Sequence, residues 1–218
     1  MPEFTGFPRA AITFLEELEA NNDRDWFKAN RDRYDAYLAA PALALGRDLR
    51  RFGEVKLFRP YNDARFHARP PIKEHIGIPF GMEGATGYYA ELSLDGLLVA
   101  AGMYRPQPDQ VARLRDAVAD GRRGSALARA VRAATDGGLE LSDPDLKRVP
   151  RGYDAEHPRA DLLRHRRVVL SRRESKLPRW LHGPEAAERI AAWFEAARPT
   201  VTWLRDNVGP SLQPPSRR

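Results

Sequence analysis

Cations, aromatic rings and prolines are concentrated in residues 58–75, which read FRPYNDARFHARPPIKEH and are called the basic loop below. Six side chains of the basic loop are positive or can become so, against two acids: Arg59, Arg65, His67, Arg69, Lys73 and His75 against Asp63 and Glu74. Guanidinium groups bind carboxylates and phosphates through paired hydrogen bonds, and an ammonium group adds a compact charge. The basic loop therefore predicts a binding site for an anion.

The predicted ligand-binding side chains come from three places in the chain. In the basic loop they are Arg59, Asn62, Arg65 and Lys73, and elsewhere they are Tyr89, Tyr104 and Arg151. Together they would form a cleft lined by Arg and Tyr for a ligand with a phosphate or carboxylate group. Two further residues, Asp63 and His157, are candidates for proton transfer, because a carboxylate or imidazole near arginine can be tuned for it.

A purely structural interpretation competes with this one. Asp63 would pair with Arg65 or Arg59, and Phe66 would belong to the core. His67 and His75 suggest general bases or, with Asp63, metal ligands, but their spacing matches no familiar metal motif. We predict no metal site and no cofactor, and the sequence does not decide between a binding module and an enzyme.

Charge is spread unevenly over a chain whose net charge is +6 and whose pI is near 9.8. Residues 145–180 contain eleven Lys and Arg against five Asp and Glu, which equals the excess of the whole chain. This basic segment raises a second hypothesis, nucleic-acid binding, although it contains no recognised nucleic-acid motif. A third is a protein-interaction scaffold with an acidic partner.

The pattern of apolar residues predicts an α+β fold. Helices are expected over the first fifty residues, with Asn22 or Asp23 capping the second, and near the C-terminus after Pro184. Asp95-Gly96 between two strand-like runs, Tyr88–Leu94 and Leu97–Tyr104, predicts a β-hairpin. The hairpin would belong to a central antiparallel sheet packed by the N-terminal and C-terminal helices.

Length and composition predict a single domain over residues 1–208 and a flexible tail over residues 209–218. Cysteine is absent, which excludes disulfides and thiolate chemistry. Neither an apolar run of membrane-spanning length nor an uninterrupted signal sequence is present, so we expect a cytoplasmic protein with no membrane partner.

Three long motifs closely resemble DUF2461, a bacterial and fungal family of conserved hypothetical proteins. They are FLEELEANNDRDWFKANRDRYD, FRPYNDARFHARPPIKEHIG followed by GYYAELSLDGLLVAAGMYRP, and PRGYDAEHPRADLLRH. The resemblance implies one α+β domain of about this size and no established activity.

The basic loop departs from the pattern of that family at one point. Members commonly carry an Arg-Phe-Ser-Lys-Asp-Lys-type run, whereas this chain has RFHARPPIK from Arg65 to Lys73. Arg65, Phe66 and Lys73 match, but the acidic residue is lost. Anion binding through Arg65, Arg69 and Lys73 would survive this change, whereas a mechanism that needs the carboxylate would not.

Overall fold

The structure is a computed structural model that describes residues 3–63, 69–175 and 177–213. The helices are α1 (Arg9–Ala20), α2 (Arg24–Ala29), α3 (Arg31–Tyr34), α4 (Ala40–Asp48), α5 (Pro108–Ala119), α6 (Gly121–Asp136), α7 (Ala160–Leu163) and α8 (Glu185–Asn207). The strands are β1 (His75–Glu83), β2 (Thr86–Ser93), β3 (Gly96–Met103), β4 (Glu140–Leu141) and β5 (Val168–Glu174). A π-helical turn (Asp35–Ala39) and two 3₁₀ turns (Arg50–Phe52 and Arg179–His182) complete the elements.

The five strands form one antiparallel sheet in the order β1-β2-β3-β5-β4, which confirms the predicted α+β fold. The hairpin of β2 and β3 is present, and each strand ends one residue earlier than predicted. Just before the basic loop, Val55 forms an isolated antiparallel bridge to Phe80 and is not part of a strand. Pro60 follows closely and has no N–H with which to extend the pairing.

The N-terminal helices begin and turn where their sequence predicts. The Asp23 side chain accepts hydrogen bonds from the N–H groups of Asp25 and Trp26, so it caps α2 as expected. Pro41 lies in the first turn of α4, where a proline is tolerated, and α4 follows the π-helical turn directly. The wide turn leads from α3 into α4 without a loop.

The chain divides into two compact units, and the predicted single domain stays a prediction. The first unit comprises Met1–Phe80, Tyr89–Val99 and Arg173–Ala191, and the second comprises Gly81–Tyr88, Ala100–Arg172 and Ala192–Arg218. Fully buried residues of the first unit include Phe7, Phe14, Phe27, Ile72 and Phe80. Those of the second include Met103, Val118, Leu127, Leu170 and Phe194.

In the second unit, α5 and α6 meet at a sharp junction around Asp120. The side chain of Arg159 donates to the carbonyl oxygens of Val118, Ala119 and Asp120 at 2.7, 3.2 and 3.1 Å. A cation bound to the last carbonyls of a helix stabilises its C-terminus. Gly124 lies against this junction, and a Cβ there would collide with the Val118 carbonyl and the Arg159 side chain.

The C-terminal segment is tied to α5 as far as it is described. Gln110 donates to the Gly209 carbonyl at 2.7 Å, and Asp109 accepts from the Ser211 hydroxyl and the Leu212 N–H at 2.8 Å each. Residues 214–218, the rest of the predicted flexible tail, lie outside the described residues.

Among the helices of the described part of the chain, none is both long and apolar enough to span a bilayer.

Candidate functional site

The basic loop is closed by a short antiparallel contact between its two ends. Tyr61 and Ile72 form a bridge, flanked by hydrogen bonds from the Asn62 N–H to the Pro71 carbonyl and from the Lys73 N–H to the Pro60 carbonyl. These two bonds are 2.9 and 2.8 Å long. The contact brings residue 59 beside residue 73, although they are far apart in sequence.

Asn22, at the turn before α2, holds the returning end of the loop. Its amide oxygen accepts from the Ile72 N–H at 3.0 Å, and its amide nitrogen donates to the Ile72 carbonyl at 3.0 Å. The same nitrogen donates to the Glu74 carboxylate at 2.7 Å. Because Ile72 is fully buried, Asn22 satisfies main-chain groups that have no access to water.

Lys73 and Arg59 are the two predicted ligands that the structure brings together. The Lys73 ammonium group donates to the Arg59 carbonyl at 2.7 Å and lies 5.5 Å from the centre of the Phe58 ring. Burial lowers the pKa of Lys73, and the nearby positive charge of Arg59 lowers it further. Within residues 3–63, 69–175 and 177–213, neither cation has a carboxylate at ion-pair distance.

Asn62, by contrast, uses its amide hydrogens within the loop. They donate to the carbonyl oxygens of Pro70 and Ile72 at 2.9 and 3.3 Å. Asn62 thus shapes the loop, and its predicted role in orienting a ligand stays a prediction.

The middle of the basic loop contains the other residues for which the sequence predicts a role. Arg65, Phe66 and His67 lie outside the described residues. Asp63 and Arg69, on either side of that gap, are exposed. The predicted roles of Arg65 in anion binding and of Asp63 in proton transfer stay predictions.

A second polar group is formed by residues of β1 and β2 that belong to the same unit as the basic loop. The Tyr89 hydroxyl donates to the Glu91 carboxylate at 2.7 Å, and the Nε2 atom of His75 lies 3.7 Å from the same oxygen. Gly77 leaves room for the phenol, because a Cβ there would collide with the Tyr89 hydroxyl. Sequence analysis did not select Glu91, although the alternation of β2 after buried Tyr88 places Tyr89 and Glu91 on one face.

The remaining predicted residues belong to the second unit. Tyr104, directly after β3, is 52% exposed, and its ring lies 5.2 Å from the Arg105 guanidinium. Arg151 is exposed in the turn before α7. The predicted cleft that would join them to Arg59 and Lys73 stays a prediction.

His157 is held by main-chain groups of the second unit. Its Nδ1 accepts from the Arg159 N–H at 3.0 Å, which leaves Nε2 as the donor to the Ala119 carbonyl at 3.3 Å. A His157 that transferred protons would first have to break these bonds, and its catalytic role stays a prediction. In the same segment, burial and a hydrogen bond to Asp116 raise the pKa of the Tyr153 hydroxyl to about 12.

Several cations of the 145–180 segment are bound within the protein. Besides Arg159, Arg164 pairs with Asp161 at 2.8 Å and Arg167 with Asp145 at 3.5 Å. Arg172 donates to the Gly138 carbonyl and lies over the Trp193 ring. These contacts reduce the charge available to a polyanion, so nucleic-acid binding stays a prediction, as does the protein-interaction scaffold.

In the described part of the chain, no three His, Asp or Glu side chains are grouped so that they could hold a metal ion.

A family model covers almost the whole chain, from residue 10 to residue 203, and its description is conserved hypothetical protein (DUF2461). The chain belongs to the DUF2461 family. Comparisons with curated proteins and with solved structures returned no match. Membership of DUF2461 confirms the resemblance of the three motifs, and it assigns no reaction.

Proposed function

We propose that this DUF2461 protein binds a ligand with a phosphate or carboxylate group, and that Lys73 and Arg59 hold that group. The observation that carries the proposal is the contact of the Lys73 ammonium group with the Arg59 main chain at the closed end of the basic loop, where the charge of Arg59 also lowers the pKa of Lys73. Two like charges held together cost free energy, which a bound anion would recover.

The surroundings of Lys73 support this proposal. Glu74, its nearest acidic neighbour in sequence, is bound by Asn22, so its negative charge is held elsewhere. An ammonium group has three donors, and the described contacts of Lys73 use one of them, for the Arg59 carbonyl. Two donors therefore remain for the oxygens of a ligand.

Exposure also supports binding at this place. Arg59 is exposed, and Phe58 and Tyr61 are 53% and 38% exposed although both are large and apolar. The rings of Tyr61 and Phe27 pack edge to face with their centres 5.7 Å apart, so buried Phe27 helps to hold the described start of the basic loop. Arg59 and Lys73, at the two described ends of the basic loop, can therefore bind an anion without first being ordered.

Calorimetric titration with inorganic phosphate, succinate and acetate tests the proposal. We expect at least one of them to bind, and Lys73→Met to weaken that binding at least about tenfold, since hydrogen bonds to charged groups contribute roughly 1.5–3 kcal/mol. Binding should also weaken as salt is raised from low to moderate concentration.

The matched control is Lys28→Met, because Lys28 is an exposed lysine on α2 of the same unit. This variant should bind as the unmodified protein does. Equal losses in both variants would mean that only the net charge matters, and the assignment of Lys73 would then be wrong.

A further inference from the structure

A carboxylate, a phenol and an imidazole meet on neighbouring strands close to the proposed anion site. Tyr89 and Glu91 lie on β2 and His75 opens β1, and both other groups contact the Oε2 atom of Glu91. The side chains of Glu91 and His75 are 19% and 34% exposed. The cluster is thus partly withdrawn from water while it remains accessible.

One oxygen of this cluster is available to a ligand. In residues 3–63, 69–175 and 177–213, the hydrogen bond from Tyr89 and the contact with His75 both end on the Oε2 atom of Glu91, which leaves Oε1 without a protein partner. The hydrogen bond from Tyr89 restrains the Glu91 carboxylate on this face of β2. A fixed carboxylate oxygen is a strong acceptor for a hydroxyl group.

The cluster lies near the cations of the basic loop. Lys73 is two residues before His75, so their Cα atoms can be no more than about 7 Å apart along the chain. His75 is in turn 3.7 Å from the Glu91 carboxylate. A ligand whose anionic group is held at Lys73 can therefore reach Glu91 by extending past His75.

We propose that the ligand is a hydroxylated anion, a sugar phosphate or a hydroxy acid, and that Glu91 accepts a hydrogen bond from its hydroxyl group. This inference rests on the proposed function, since Lys73 and Arg59 hold the anionic group. Glu91 adds a second contact, through a negatively charged acceptor. This contact favours a ligand whose hydroxyl group lies at a set distance from its own anionic group. Glu91 repels a second anionic group at that position, so the site also discriminates by charge.

Matched pairs of ligands test this inference by calorimetry. Ribose 5-phosphate is compared with pentyl phosphate, and 4-hydroxybutyrate with butyrate, because the members of each pair carry the same anionic group and differ chiefly in their hydroxyl groups. We expect the hydroxylated member of at least one pair to bind at least about tenfold more tightly, as a hydrogen bond to a carboxylate would give. The pair that discriminates tells a sugar phosphate from a hydroxy acid.

Glu91→Gln should reduce that preference at least about threefold, because the acceptor loses its charge while its shape is kept. Ser93→Ala, on the same face of β2, should leave the preference unchanged. The preference of the unmodified protein is itself informative, so the test does not depend on the folding of either variant.

Two failures can be told apart. Equal binding within both pairs, or a preference that Glu91→Gln leaves intact, would overturn the role of Glu91 while anion binding stands. An absence of binding by all four ligands would overturn the proposed function and this inference together.

Discussion

Asn21 and Asn22 are adjacent residues whose side chains should contribute very differently to the stability of the protein. The Asn22 side chain bonds both main-chain groups of buried Ile72, whereas the exposed Asn21 side chain, just after α1, donates to the Glu17 carbonyl. Asn22→Ala should lower the free energy of unfolding by about 1–3 kcal/mol, because buried polar groups lose their partner. Chemical denaturation measures this loss.

Asn21→Ala is the matched control and should change the free energy of unfolding by about 0.5 kcal/mol or less, as is usual for exposed positions. Because Asn22 also holds the basic loop, Asn22→Ala should weaken anion binding. Similar small effects of both substitutions on stability would contradict the role given to Asn22.

Helices α5 and α6 show how closely two elements can approach when a glycine allows it. In an isolated helix, replacing glycine by alanine stabilises by up to about 1 kcal/mol. At Gly124, however, a Cβ would collide with the Val118 carbonyl at the end of α5. We expect Gly124→Ala to destabilise the protein by about 1–3 kcal/mol, as overpacking does.

Gly121, three residues earlier in α6, provides the comparison. Nothing lies within 4 Å of a Cβ built there, so Gly121→Ala should leave stability unchanged or raise it by up to about 1 kcal/mol. Thermal unfolding of both variants measures the difference. Two substitutions of equal effect would rule out the close packing of α5 and α6 at Gly124.

Local patterns predicted the elements that depend on neighbouring residues. Asp95-Gly96 indicated the hairpin and Asp23 the start of α2, since each depends on a few consecutive residues. The contact of Asn22 with Ile72 joins residues fifty positions apart, and no local pattern reveals it. Glu91 was missed for the same reason, because its partner His75 lies on another strand.

At the scale of the whole molecule, His165 and Asp109 are among the described groups that make stability depend on pH. Burial lowers the pKa of His165 below its usual 6.5, although the charges of Asp145 and Asp161 oppose the shift. The unfolded chain therefore binds the proton more readily than the folded protein does. The stability that neutral His165 contributes is fully present above pH 6.5 and is lost as the pH falls toward the lowered pKa. In His165→Leu, the free energy of unfolding should decrease less below pH 6.5 than it does in the unmodified protein. Urea unfolding at a series of pH values measures this difference.

Asp109 acts in a more acidic window. Burial alone would raise its pKa, but the Leu212 N–H, the Ser211 hydroxyl and Arg113 outweigh burial and lower the pKa to about 2. The stability it contributes is present above pH 3.8 and is lost as the pH falls to about 2. Asp109→Asn should thus differ from the unmodified protein at neutral pH and converge with it near that limit, and a constant difference would contradict this assignment.

The titration of Lys73, followed by NMR on lysine labelled at its ε-carbon, tests anion binding most directly. The chain has only five lysines, so their signals are few enough to be assigned one by one. We expect the pKa of Lys73 in the free protein to lie below the usual lysine value of 10.5, because burial and Arg59 disfavour its charge. A bound anion favours the charged form, so a saturating amount of the tightest-binding anion from the calorimetric titrations should raise the pKa of Lys73. If the pKa of Lys73 is the same with and without the anion, then Lys73 does not bind the anion.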